Sequence, residues 1–463
     1  MKPNAPGLRR ARAFDPTPIE HMPPDRFRVS LRDCLIAGVA TEAAYLSLYA
    51  VHAGPPSTLA FIVVQTIAWC LFGFLVWRGA RGSGSSVAAP VWVIIGAAVL
   101  FRLTLVPHDP IASDDVYRYV WDGRVALHGF NPFAHAPNDP QLAALATDRL
   151  PSLVNHPDLK SVYPAVAQLF FLTSNVFFGP SVTGYKALLM LAEGLTLFLL
   201  VRYLKQKALP PALVMLYAWS PMAIMYGGLD GHIDLLGIPF LLLTITLWNG
   251  GRTFRAGFAL GAAALVKLHP VLTSLFLAVR GKGWKGWLTA IVPPLVFAAG
   301  IGAYDEPTHG FFGAMSFMGS RWEFNSPLFT VAYPLVGTNE GTHLVCEAAL
   351  LGWLMWTTLR AASIEEKMFL AFLGFVLLGP VAHPWYFLWV AVLTVVYWSP
   401  VTLVLLAMTN LSNVVVYRYH STGEWVDDPL LVAVEYAVPL LVALTVWRVR
   451  SRDGGSRRTV QDP

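Results

Sequence analysis

Charge is scarce in this chain. Of its 463 residues only 13% are Asp, Glu, Lys or Arg, against roughly 25% in an ordinary soluble domain, a shortage that excludes a surface wetted on all sides. Cysteine is scarcer still. Cys34, Cys70 and Cys346 are far apart and in apolar surroundings, which excludes a disulfide framework and a Cys-based metal site. Basic blocks inside a folded domain are missing too. The net charge of +5 comes from a basic beginning (Arg9, Arg10, Arg12, Arg26, Arg28, Arg32) and a basic end (Arg448, Arg450, Arg452, Arg457, Arg458), so no nucleic-acid partner is implied. What is plentiful is apolar: 55% hydrophobic residues and a mean hydropathy of +0.54.

A bilayer core takes about 20 apolar residues per helical crossing, and runs of that kind recur from residue 32 to residue 447. They predict an all-α, polytopic transmembrane bundle of about twelve spans, at 33–51, 59–77, 91–106, 185–203, 212–226, 233–248, 287–304, 343–359, 369–381, 385–398, 402–416 and 430–447. Basic segments stay on the cytoplasmic side. Residues 1–32 are therefore expected to be a cytoplasmic tail before an uncleaved signal-anchor, 33–448 a single membrane domain with a large outer loop at 107–161, and 449–463 a second cytoplasmic tail.

Two further apolar runs, 162–178 and 256–279, are expected not to cross; otherwise Lys205, Lys207, Arg252 and Arg255 would face outward. With both runs re-entrant or interfacial, the loops carrying Arg78/Arg81, Arg280/Lys282/Lys285 and Arg360/Lys367 also fall inside. The second run should break at Lys267-Leu268-His269-Pro270, bringing Lys267 and His269 near mid-membrane. The first reads either as an interfacial helix guiding lipid or as a buried packing helix.

Under this topology the outer face collects an unusual set of polar groups. They are Asp114, Asp115, Arg118, Asp122 and Arg124; Asn155, His156 and Tyr163; Asp230, His232 and Asp234; Arg321, Glu323 and Asn325; and His383 in His383-Pro384-Trp385-Tyr386. Carboxylates, imidazoles and guanidiniums beside aromatics suit an anionic, sugar-bearing ligand. Each also has a plainer reading. Asp114 and Asp115 could cap a helix, His383 could make a structural hydrogen bond at a helix start, and Trp92, Trp353, Trp356 and Trp398 fit an interfacial belt. Glu42 and Glu193 are expected to hydrogen-bond inside the bundle. Lys267 has the weakest plain reading, because a charge within an apolar run costs about 2.5 to 3.5 kcal/mol on insertion scales.

The pattern Asp114-Asp115-x-x-Arg118-Tyr119-x-Trp121-Asp122-Gly123-Arg124, with Gly129-x-Asn131-Pro132-Phe133, Asn155-His156-Pro157 and Tyr163-Pro164, resembles bacterial membrane glycosyltransferases of the C-type (GT-C) superfamily, mannosyltransferase-like enzymes that use polyprenyl-phosphate sugars. The resemblance continues through Asp230-Gly231-His232, Lys267-x-x-Pro270, Asn325-Ser326 and His383-Pro384-Trp385-Tyr386. It implies a catalytic carboxylate in the first large outer loop, here Asp114 or Asp115. It also implies a polyprenyl-phosphate sugar donor, a lipid or glycan acceptor, and a place in the bacterial inner membrane with both termini cytoplasmic. Many relatives carry that loop after their first span; here two apolar runs come earlier.

The residue chemistry agrees with that reading on its own terms. Transfer from a lipid-phosphate sugar needs one base for the acceptor hydroxyl. It needs no second, protonated carboxyl, because phosphate leaves as a stable anion held by cations and hydrogen-bond donors. Asp115 is the candidate base, and Asp114 either orients it or helps hold a divalent ion, Mg²⁺ or Mn²⁺. Arg118, Arg124, His232, Lys267, Arg321 and His383 are candidates for the phosphate; Tyr119, Trp121, Asp122, His156, Tyr163, Asp230, His269, Asn325, Trp385 and Tyr386 complete the candidate binding set. A lipid transporter or flippase is the main alternative. A lipid-phosphate hydrolase is a further one, without a nucleophile-rich or phosphate-loop motif to support it.

Overall fold

The computed structural model describes residues 27–82, 87–278, 284–303 and 310–456. The tail residues Arg9, Arg10, Arg12, Arg26, Arg457 and Arg458, and the loop residues Arg280 and Lys282, lie outside them. Among the described residues the chain is helical throughout, with two isolated β-bridges, Ser30 to Ala88 and Phe324 to Val381, in place of any strand. Among the described residues four helices have the length and apolarity of a membrane crossing: Pro55–Arg81, Val182–Gln206, Pro400–Thr422 and Pro429–Arg448. Local chemistry sets their ends. Two prolines open the first, and Arg78 and Arg81 fill its last turn, where the helix dipole favours cations. The Ser181 hydroxyl caps the second by accepting the Gly184 N–H at 3.0 Å.

The scaffold is more broken than twelve continuous spans. Residues 212–226, expected as one crossing, form Pro211–Ala218 and Ala223–Leu229, which meet at 58°. Pro221 explains the break, since it offers no N–H and disfavours helix at the residue before it. Residues 385–398 likewise give only the short helix Pro384–Leu393 before the chain turns. Val91–Leu105 and Asp234–Asn249 are shorter than a full crossing as well; at about 1.5 Å per residue, 15 residues reach about 22 Å of a hydrocarbon core about 30 Å thick. Irregular backbone at such depth must be wrapped in protein. It is: Met222 to Ile224 and Leu388 to Leu393 are completely buried. The run 256–279 breaks where expected, into Thr253–Ala264, a turn at 265–268, and the 3-10 helix His269–Leu277.

Asp115–Leu127, the helix of the large loop, packs against Ala165–Phe178. Their approach requires Gly123, because a Cβ there would stand 2.2 Å from the Phe171 carbonyl oxygen. Ala165–Phe178 is therefore a packing helix on one face, burying Ala167, Gln168, Phe171, Ser174 and Asn175, and an apolar exposed surface on the other, with Leu169, Val176 and Phe177. Deeper in the bundle, Arg102 meets Glu193 at 2.6 Å, and Tyr217 donates to the same carboxylate at 2.9 Å. Glu42 accepts from the Thr104 hydroxyl. Both acids are thus hydrogen-bonded inside the bundle, as a carboxylate there must be.

Loops far apart in sequence collect at one end. Tyr49 donates to the Thr104 carbonyl, the Asp230 carboxylate accepts from the Ile111 N–H, Phe324 donates to the Pro380 carbonyl and accepts from the Ala382 N–H, and the Asn325 N–H reaches Asp427. That end carries the polar groups singled out above.

Candidate active site

Two buried charges hold the chain leading to the acid pair. Lys186 donates to the carbonyls of His108 and Leu229 at 2.6 and 2.8 Å. Asp230 accepts the Ile111 and Ala112 N–H groups at 2.8 and 3.2 Å through Oδ1. Asp230 is thus engaged with backbone, and the sharp turn after it uses Gly231 at φ +73°, a left-handed conformation that suits glycine.

The chain then enters Asp115–Leu127. Asp114 occupies the capping position but makes no capping hydrogen bond from its side chain. Instead the Asn155 amide donates to Asp114 Oδ1 at 2.7 Å and to Asp115 Oδ1 at 2.9 Å, tying the two carboxylates together. Asp115 Oδ2 turns the other way, 3.4 Å from the Tyr119 hydroxyl and 3.8 Å from His232 Nδ1. Desolvation and then the neighbouring Asp114 charge raise the Asp115 pKa, against the Asn155 hydrogen bond and the Lys267 charge. Desolvation raises Asp114 as well, although its carboxyl touches solvent at the rim. The Asp115 side chain keeps 20% exposure, enough for a substrate to reach it.

His232 begins a stack of rings. It lies on Trp385 at 4.1 Å, Trp385 on His383 at 4.3 Å, and His383 on Phe324 at 4.5 Å. His232 is fully buried, with no hydrogen-bond partner at either ring nitrogen. Unpaired buried polar atoms are costly and uncommon. Beside the stack, Lys267 pairs with both oxygens of Asp234 at 2.9 and 2.8 Å and lies over the Tyr386 ring at 4.1 Å. Trp389 donates to the same carboxylate at 2.7 Å. Lys267 keeps 18% exposure while Asp234 has none.

The remaining candidates divide into rim and support. His156, in a left-handed conformation at φ 46°, meets the edge of Trp322 at 4.5 Å, which brings the exposed Arg321 to the rim; the Arg321 guanidinium lies over Phe317. Tyr163 is partly exposed against Tyr119 at 4.9 Å. Arg118 is spent on Asp122 at 2.8 Å and on the Leu159 carbonyl, and Asp122 also accepts from Ser161 and Gln168. Arg124 donates to the Leu145 carbonyl, and Trp121 is buried. His269 is buried, stacked on Phe375 and packed edge-on to Trp389. Asn325, at φ 51°, gives its N–H to Asp427 and its amide to Glu435, orienting the segment that carries Phe324.

The structure therefore brings Asp114, Asp115, His232, Lys267, His383, Trp385 and Tyr386 into one cluster, whereas Arg118, Asp122, Arg124 and Asp230 are committed to internal bonds. Sequence reasoning passed over Lys186 and Glu435, although the signal that marked Lys267, a charge within an apolar run, applied to both. Among the described residues no group of three or more His, Cys, Asp or Glu side chains is arranged to hold a metal ion.

Residues 162–384 match the model of glycosyltransferase family 87, and residues 329–448 match that of the MptB C-terminal domain. No curated protein matches the chain. The matched stretches contain His232, Lys267 and His383 but begin after the acid pair. The first match is to transferases rather than transporters, and the two overlap at residues 329–384 on one all-helical scaffold with membrane-length apolar helices. The chain is a membrane-embedded glycosyltransferase, and its matched stretches are similar to enzymes of the C-type, mannosyltransferase-like superfamily.

Proposed function

We propose that the protein transfers a hexose, with mannose favoured, from a polyprenyl-phosphate donor to a lipid or glycan acceptor at the extracytoplasmic face of the bacterial inner membrane, with inversion at the sugar. The observation that carries this reading is Asp115. One of its oxygens is pinned by Asn155, and the other points toward His232 with no close charged partner. Oδ2 takes the proton of the acceptor hydroxyl as that oxygen bonds to the anomeric carbon. The bond from that carbon to the phosphate oxygen breaks, and its electron pair leaves on the polyprenyl phosphate. Lys267, with Arg321 from the rim, supplies positive charge to the departing phosphate, and the His232 and His383 rings supply hydrogen-bond donors. Asp114 keeps Asp115 in register through the shared Asn155 amide.

The test is Asp115→Asn in membranes supplied with a labelled polyprenyl-phosphate mannose. Loss of a positioned base lowers turnover by about 10² to 10⁴, with donor binding retained. Wild-type turnover in that variant removes the proposed base. Loss of activity on chelation in the wild type would instead assign the acid pair to a divalent ion.

A further inference from the structure

The aromatic stack does not end inside the protein. Beyond Phe324 it continues to Trp425 at 5.2 Å, and from Trp425 to Tyr419 at 5.7 Å. His232, Trp385 and Phe324 are buried and His383 is partly so, but Trp425 and Tyr419 are 43% and 45% exposed. They sit at the turn between the helices Pro400–Thr422 and Pro429–Arg448. That turn is fastened to the active-site end, because Asp427 accepts the Asn325 N–H at 2.6 Å and the Arg418–Asp428 pair closes the turn at 2.7 Å. A line of rings thus runs from His232, beside Asp115, to an open surface edged by Glu424, Arg418 and Asp428.

From this we infer an acceptor subsite: Trp425 and Tyr419 form a platform for the sugar rings of a glycan acceptor several residues long, whose growing end reaches Asp115. The inference rests on the transfer reaction proposed above and narrows its acceptor from lipid or glycan to glycan. Two physical features select a saccharide. The C–H face of a pyranose is weakly positive and meets the negative face of an aromatic ring, while its hydroxyls seek carboxylate and guanidinium partners at the ring edges. The surface offers both, and the line of ring contacts joins it to the site. An aromatic belt that only meets lipid headgroups would need neither the continuity nor the fastening to Asn325.

The experiment measures binding of linear hexose tetrasaccharides, an α-mannan and an α-glucan, and of the matching methyl monosaccharides to the purified full-length protein in nanodiscs. The wild type should bind at least one tetrasaccharide about tenfold or more tighter than its monosaccharide. That ratio should collapse toward one in Trp425→Ala and Tyr419→Ala, persist in Trp425→Tyr, and persist in the belt control Trp92→Ala; losing one stacked ring corresponds to about a five- to tenfold change. Equal binding of tetrasaccharide and monosaccharide by the wild type overturns the platform, as does a ratio unchanged in Trp425→Ala. Failure of the transfer reading gives a different pattern: Asp115→Asn would keep full turnover while tetrasaccharide binding still depended on Trp425.

Discussion

Replacing Lys267 with Met tests whether that lysine serves the fold, the phosphate or both. Its ammonium group contacts both oxygens of Asp234 at 2.9 and 2.8 Å, and the Asp234 side chain has no solvent exposure. Taking the lysine away leaves a buried carboxylate with only the Trp389 indole as partner. Breaking a buried pair from one side costs about 3 to 5 kcal/mol, and the 18% exposure of Lys267 places this one near the lower figure. Lys267→Met should therefore unfold several degrees below the wild type in detergent, followed by intrinsic fluorescence. Replacing both partners, Lys267→Met with Asp234→Leu, removes the stranded charge and should return most of the lost stability. Transfer activity should behave differently. A hydrogen bond to a charged group contributes about 1.5 to 3 kcal/mol, so loss of the phosphate contact lowers turnover by about 10- to 150-fold in both the single and the double variant. A double variant that regains stability and transfer together makes Lys267 structural only. A single variant as stable as the wild type refutes the buried-pair argument itself.

Asp115 acts as a base only when ionised, and its pKa is raised by desolvation and by Asp114, so the rate should fall as pH drops through a value above the ordinary carboxylate range. Asp114→Asn removes one of the raising influences and should move that acidic limb of the pH–rate profile to lower pH; a limb that stays in place refutes the coupling. Gly123→Ala puts a Cβ 2.2 Å from the Phe171 carbonyl oxygen and 2.4 Å from the Asn175 amide, which costs about 1 to 3 kcal/mol of overpacking. Thermal unfolding at the wild-type temperature would show that these helices separate freely.

The fold was legible where a property adds up along the chain. Scarce charge and recurrent apolar runs identified a helical membrane protein, and Lys267-Leu268-His269-Pro270 marked a true break because proline removes a helix donor locally. Span continuity was less legible. A hydropathy run through Trp219-Ser220-Pro221 looks unbroken, yet it bends by 58° because neighbouring helices shelter the exposed backbone there. In the site, residue types were readable and their allegiances were not. Arg118 and Lys267 looked alike as phosphate cations, but Arg118 sits four residues from Asp122 on its own helix and is consumed by it. The plain capping reading of Asp114 was as good as the functional one until Asn155, 41 residues away, bridged it to Asp115.

Composition alone decided that this chain lives in a bilayer, because partition between water and hydrocarbon sums over residues regardless of their order in space. The motifs nominated the acids, imidazoles and lysine, because charge is too costly in such a chain to be placed idly. Which of those groups cancel one another and which stay available depended on helices distant in sequence meeting at particular angles. Trp389 lies 155 residues from the Asp234 carboxylate it holds, and His232 meets Asp115 across more than a hundred residues of chain. Packing decided those meetings, because electrostatic and hydrogen-bond energies fall steeply over a few ångströms while sequence separation says nothing about distance.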